Sequence, residues 1–245
     1  MNTVGCRGRW YRILWSLATV MSFSSGCLTL DPFLWKPQSL DAYELDAYTG
    51  GYRECADAID SLGPVDMSEV HFLTFQSGAN RISSILLNTD TVLHSSDTLI
   101  LYFYGRTSNI DFYWPRVRLL RETGYAVLVA DFPGYGLSSG EPTEEGLYAM
   151  ARSALSVIRH RLGNPVVMVY AYSTGTWPGC EMVSTDTTGQ IHRLILEAPY
   201  SSVETLIQDA TYLDIPGSYV TKMQGNNREK IRRVTAPLLA LYGSK

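Results

Sequence analysis

Apolar residues along this chain change rhythm near Thr98. Before it, residues 70–75 alternate, Ser77-Gly78-Ala79-Asn80 supplies turn chemistry, and residues 82–87 return, which predicts an antiparallel hairpin. After it come short continuous apolar runs at 99–104, 126–130, 165–170, 193–196 and 237–242, as expected of parallel strands buried on both faces. Helical spacing fills the gaps. Residues 114–122 predict a helix with Pro115 in its first turn and Gly124 as its stop. Thr143 caps a longer helix whose Leu147, Met150, Ala151, Ala154, Leu155, Ile158 and Leu162 share one face, and a further helix is expected over 203–210. The alternation predicts an α/β chain with a doubly wound, mostly parallel sheet and right-handed crossovers.

The first thirty residues follow a different pattern. Arg7, Arg9 and Arg12 precede a short apolar stretch over 13–23, and Ser24-Ser25-Gly26-Cys27 follows. This predicts a signal peptide over 1–26 and lipidation at Cys27, giving a membrane-anchored lipoprotein of the cell envelope, with ordinary secretion as the alternative. Residues 27–66 are expected to be an extension with a short helix near 52–62, and 67–245 the α/β domain. The hydrophobic content of 45% and charged content of 18% fit a globular domain, and a net charge of −4 excludes a nucleic-acid partner. The four cysteines and four histidines have no metal-ligand spacing, so no metal or cofactor is expected. Cys180 reads as a packed free thiol.

The candidate chemistry sits in Ala171-Tyr172-Ser173-Thr174-Gly175, directly after an apolar strand and directly before a helix start. A serine on such a turn stands proud of the sheet, as a nucleophile elbow requires. Its oxyanion would need two preorganised donors, and the backbone N–H groups of Thr174 and Arg106 are the candidates. Tyr104, Gly105 and Tyr172 are expected on the pocket rim. Asp131 and Tyr135, in a Gly- and Pro-rich turn, read as structural, and Glu197 as a satisfied strand-end carboxylate. None of His71, His94, His160 or His192 falls where a general base is needed.

Two stretches carry a resemblance. Asp131-Phe-Pro-Gly-Tyr-Gly-Leu-Ser-Ser-Gly and Leu194-Ile-Leu-Glu-Ala-Pro-Tyr-Ser-Ser resemble the α/β-hydrolase superfamily, in its branch of depalmitoylase-like and serine-aminopeptidase-like proteins. The resemblance implies the α/β-hydrolase fold and cleavage of ester, thioester or amide bonds in a small-molecule or acylated substrate through an acyl-Ser173 intermediate. This chain departs from it in having Tyr104-Gly105 where the family commonly has His-Gly, and Ala171 for the first glycine of the elbow. In the family an aspartate follows the strand matching 238–242 in a Gly-x-x-Asp turn, and a histidine follows later. Here Gly243-Ser244-Lys245 ends the sequence. The expectation is therefore a domain lacking its last strand and helix, inactive as 245 residues. The alternative reading is a catalytically inactive hydrolase-fold binding protein with Tyr104 closing the pocket.

Overall fold

The computed structural model describes residues 30–52, 56–211, 219 and 221–243. The expected signal segment, Cys27 and Cys55 lie outside the described residues. In chain order the elements are α1 (Ala56–Asp60), β1 (Val70–Ser77), β2 (Asn80–Leu87), β3 (Thr98–Phe103), α2 (Ile110–Arg121), β4 (Ala126–Ala130), α3 (Glu144–Arg161), β5 (Val166–Tyr172), α4 (Thr176–Thr185), β6 (Ile191–Glu197), α5 (Val203–Thr211), α6 (Asn227–Ile231) and β7 (Leu238–Leu241).

The strands form one seven-stranded sheet in the order β1-β2-β4-β3-β5-β6-β7. β1 and β2 pair antiparallel across a tight turn whose Gly78 has φ +60°, and β2 pairs antiparallel with β4. Every other neighbouring pair is parallel. The parallel strands therefore end along one edge, at Phe103, Ala130, Tyr172, Glu197 and Leu241, where ligands of open α/β sheets collect.

Apolar runs uninterrupted by polar residues need cover on both faces. β4 is buried at every residue, and β3 at all but Thr98. In β5 the two faces differ. Val167, Val169 and Ala171 are buried, and an atom added at Gly179 of α4 would meet Ala171 Cβ at 2.8 Å, so α4 lies on that face. Tyr170 and Tyr172 point to the opposite face, toward Arg116 of α2. β7 has little cover on either face: Leu238, Leu239 and Leu241 are all exposed.

α2 begins a turn earlier than its apolar spacing suggests. Asn109 caps it, its side chain accepting from the Phe112 N–H, so Pro115 lies inside the helix and not in its first turn. The backbone near this proline is supported from outside, where Tyr52 N–H donates to Phe112 O at 2.7 Å. For α3 the Thr143 cap is in place, its hydroxyl accepting from Gly146 N–H at 3.0 Å.

Residues 30–48 do not trail away from the sheet. They cross its carboxyl edge, and Leu34, Trp35 and Leu45 are buried there. Buried Asp111 at the start of α2 accepts from the N–H groups of Glu44 and Leu45, and Trp114 Nε1 donates to Asp46 at 2.7 Å.

Candidate active site

The elbow begins where β5 ends. Ser173 has φ +54°, a left-handed conformation that costs a non-glycine residue about 1–2 kcal/mol. Such strain persists only where neighbours over-determine it. Here Thr176 Oγ1 donates to Ser173 O at 2.6 Å, and Asn227 Nδ2 donates to Thr176 Oγ1 at 3.1 Å and to Tyr200 O at 2.9 Å. The turn continues as one 3-10 turn, Ser173–Gly175, into α4. Thr174 thus lies in the first turn of a helix, where N–H groups have no intrahelical acceptor and the dipole is positive.

The loop after β3 meets this elbow closely. A Cβ at Gly175 would lie 2.3 Å from Phe103 O and 2.5 Å from Tyr104 O, and one at Gly105 would lie 3.2 Å from Tyr172 Cε1. Backbone therefore faces backbone between the two candidate oxyanion donors, Thr174 and Arg106. Ser173 is half-buried, Thr174 and Gly105 are buried, and Tyr172 is half-buried under the Arg116 guanidinium, 4.2 Å from its ring centre.

Tyr104 is not on the rim. It is fully buried, stacked on Tyr113 with ring centres 4.9 Å apart and tilted against Phe132 at 4.6 Å. Its hydroxyl donates to Asp131 Oδ1 at 2.8 Å and accepts from Phe132 N–H at 3.1 Å. The strand alternation that turns Tyr102 to one face carries Tyr104 inward, so it supports the site from beneath and closes no pocket.

Asp131 is the hub under the site. It is fully buried and accepts from Tyr43 Oη, Tyr104 Oη, Ile110 N–H and Leu137 N–H. Gly136 passes so near that any Cβ would coincide with the carboxylate. One side chain thus joins the N-terminal segment, the end of β3, the start of α2 and the loop after β4. Burial pushes its carboxyl up to about 6, against the opposing pull of its donors. Between about pH 4 and pH 6 the folded chain therefore holds a proton that the unfolded chain has released. The contribution is full below pH 4 and lost as pH rises through 6, about 3 kcal/mol in all for two units. Urea melts across this range should show wild type losing stability relative to Asp131→Asn as pH rises. Parallel pH profiles would refute the shift. The other ionisable groups facing Asp131 are Tyr43, Tyr104 and, through Tyr43, Asp111.

Glu197 is held by Arg116 and by Tyr170 Oη at 2.7 Å, on the α2 face of the sheet. These donors draw its carboxyl below the ordinary range against the effect of burial. It is a paired structural carboxylate. All four histidines are among the described residues, and none approaches Ser173. His71 is on edge strand β1, with Nε2 2.9 Å from Asn88 O, four strand positions from β5, or roughly 19 Å. His94 lies in the loop before β3, His160 near the end of α3 and His192 at the start of β6, all at the opposite edge of the sheet. Cys180 of α4 is buried and free, and burial raises its thiol to about 12, so it stays unionised and inert.

Trp35, Gln38 and Tyr43 belong to the site's surroundings although the sequence reading gave that segment no role. Trp35 meets Trp177 of α4 edge-on with ring centres 5.7 Å apart. The sequence signal was the run of three apolar residues Phe33-Leu34-Trp35 between Pro32 and Lys36.

A mixed sheet with an antiparallel leading hairpin, and a strained serine between β5 and the following helix, defines an α/β-hydrolase-type architecture. Comparison with known proteins agrees. The chain belongs to the α/β-hydrolase family, whose model of the alpha/beta hydrolase fold matches residues 98–242. It is 30% identical over 148 residues to the uncharacterized protein YfhR of Escherichia coli K12, covering 59% of this chain and 51% of that one. It is 27% identical over 169 residues to the lysophosphatidylserine lipase ABHD12 of Macaca fascicularis, covering 62% and 42%. The chain spans about half the length of the curated relatives it matches. Among solved structures, an α/β hydrolase from Vibrio vulnificus shares the fold at a TM-score of 0.59 and 17% identity, over 83% of this chain and 78% of that one. The Pyrococcus furiosus esterase Pf2001 does so at 0.55 and 17%, over 73% and 74%.

Proposed function

We propose that this protein is a serine hydrolase that cleaves ester, thioester or amide bonds in a small acylated substrate. The observation that carries the reading is Ser173 held at positive φ between β5 and α4, against the loop after β3. In this reading Ser173 Oγ attacks the acyl carbon and passes its proton to a base. The carbonyl oxygen becomes an oxyanion facing the N–H groups of Thr174 and Arg106. Collapse breaks the bond to the alcohol, thiol or amine, which leaves with the proton, and water then releases the acid. In this reading none of the histidines at 71, 94, 160 and 192 serves as the base. A lipase among the relatives supports acyl esters as the substrate class. The test is treatment of the full natural protein with a fluorophosphonate, followed by peptide mapping. The adduct is expected on Ser173. Absence of any adduct would favour an inactive binding protein on the same fold, and an adduct elsewhere would displace Ser173.

Cys27 is the proposed attachment point to the membrane, on the pattern of arginines, short apolar run and Gly26-Cys27. Metabolic labelling with palmitate in a bacterial host is expected to mark the protein and hold it in the membrane fraction. Cys27→Ser should lose both. Retention of label in that variant would refute the site.

A further inference from the structure

We propose that Tyr135 and residues 33–36 are positioning groups for Arg106, so that the N-terminal segment is a working part of the oxyanion site. The proposal rests on the serine-hydrolase reading above. Arg106 follows Gly105, whose freedom of φ and ψ leaves the direction of the next N–H undetermined by the local chain. Something outside the turn must fix it. Two contacts do. The Arg106 guanidinium reaches back to the segment, Nη1 donating to Phe33 O at 3.2 Å and Leu34 O at 3.3 Å. Its carbonyl accepts from Tyr135 Oη at 3.1 Å, and that hydroxyl in turn accepts from Lys36 N–H at 3.0 Å. Side chain and carbonyl are thereby tied to the same short segment, one directly and one through a fully buried phenol. The Arg106 N–H takes no part in these bonds and is left for the developing oxyanion.

The segment is itself secured on either side of this relay. Gly136 N–H donates to Gln38 O at 2.8 Å and Leu40 N–H to Gly136 O at 2.9 Å. Ser108 Oγ donates to Gln38 Oε1 at 2.6 Å, and Trp35 is wedged against Trp177 beside the elbow. Segment, Tyr135 turn and Arg106 turn form one hydrogen-bonded unit. A relay of this kind is set before substrate arrives, which is what transition-state stabilisation asks of a donor.

Two variants interrupt the relay without opening a cavity. Tyr135→Phe removes the hydroxyl. Lys36→Pro removes the one N–H, at a position followed by Pro37 and preceded by Trp35, which is already extended at φ −113° and ψ 148°, as a residue before proline must be. Hydrogen–deuterium exchange on wild type and both variants reads the positioning directly. Exchange over residues 104–109 is expected to rise about tenfold in each, the effect of losing one hydrogen bond, with β5 unchanged. Unchanged exchange at 104–109 overturns the proposal. Fluorophosphonate kinetics on the full natural protein read its consequence. The labelling rate constant at saturation should fall by about tenfold or more, with the concentration for half-saturation unchanged. A fall in both together, or in neither, overturns the proposal. A wild type that is not labelled at all refutes the serine-hydrolase reading, while the exchange result still decides whether the relay holds Arg106.

Discussion

Replacing Ser173 with glycine is expected to abolish phosphonate labelling and to leave a protein more stable than the Ser173→Ala variant. That order reverses the usual one, because alanine is the better residue in most backbone conformations. At φ +54° alanine keeps a left-handed penalty of about 1–2 kcal/mol, which glycine escapes. Glycine's greater freedom when unfolded returns roughly 0.4–1 kcal/mol of that gain. The net advantage of the glycine variant is then about 0.5–1 kcal/mol, or about 2–3 °C in Tm for a chain of this size. Both variants lose the hydroxyl, and removing a nucleophile of this kind lowers turnover by roughly a million-fold where it has been measured. Calorimetry and labelling on the same preparations separate the two effects. An alanine variant as stable as the glycine variant would mean that the turn is not strained. Labelling in either would mean that another side chain is the nucleophile.

The strand skeleton around this serine was legible because parallel strands buried on both faces leave an unmistakable trace. Residues 126–130 have no polar side chain to place and residues 99–103 only the hydroxyl of Tyr102, so both read as strands covered on both faces. The elbow was legible for a related reason: strand, small turn and helix start are adjacent in sequence, so their geometry is local. What could not be read was whatever depends on residues far apart. Tyr104 ends an apolar strand, and nothing nearby in sequence says that its hydroxyl meets Asp131, a residue of the next strand's loop. Tyr43 reaches the same carboxylate from still farther away. Asn109 shows why the start of α2 was placed late. A cap is one polar side chain, whereas apolar spacing needs a full turn before it registers, and Pro115 falsely suggested a beginning. The N-terminal segment has neither helical nor strand periodicity, since its backbone closes only two short 3-10 turns, at Asp31–Leu34 and Leu45–Ala47, and otherwise pairs with the loop at Gly136. Only contacts such as Trp35 on Trp177 show that it belongs to the site. The same locality argument explains the histidines, whose positions at strand starts, in loops and at a helix end already excluded them from the carboxyl edge.

Gly175→Val is expected to remove the folded elbow altogether. The position has φ −59°, so valine is not excluded by backbone conformation, and the argument is one of space. A Cβ there would sit 2.3 Å from Phe103 O, 2.5 Å from Tyr104 O and 2.6 Å from Phe103 C. These are backbone atoms of the end of β3, which is paired to β4 on one side and β5 on the other, so they cannot yield as a flexible side chain would. Relief requires α4 to move off the sheet, and Gly179 on that helix already lies against Ala171. Overpacking a core commonly costs about 1–3 kcal/mol, and rigid backbone on the receiving side places this case at or above the upper end. A loss of about 3 kcal/mol or more lowers Tm by roughly 6–12 °C in a chain of this size. Gly175→Ala should show most of the same loss, because the first carbon makes the clash, whereas Gly189→Ala, with open space around its Cβ but a strained φ of +69°, should lose only about 0.5–1 kcal/mol net of the entropy the unfolded glycine chain gives up. Thermal melts of the three variants decide the matter. If Gly175→Ala melts with wild type, the close approach of elbow and β3 loop is wrong, and with it the placing of Thr174 and Arg106 around one oxyanion.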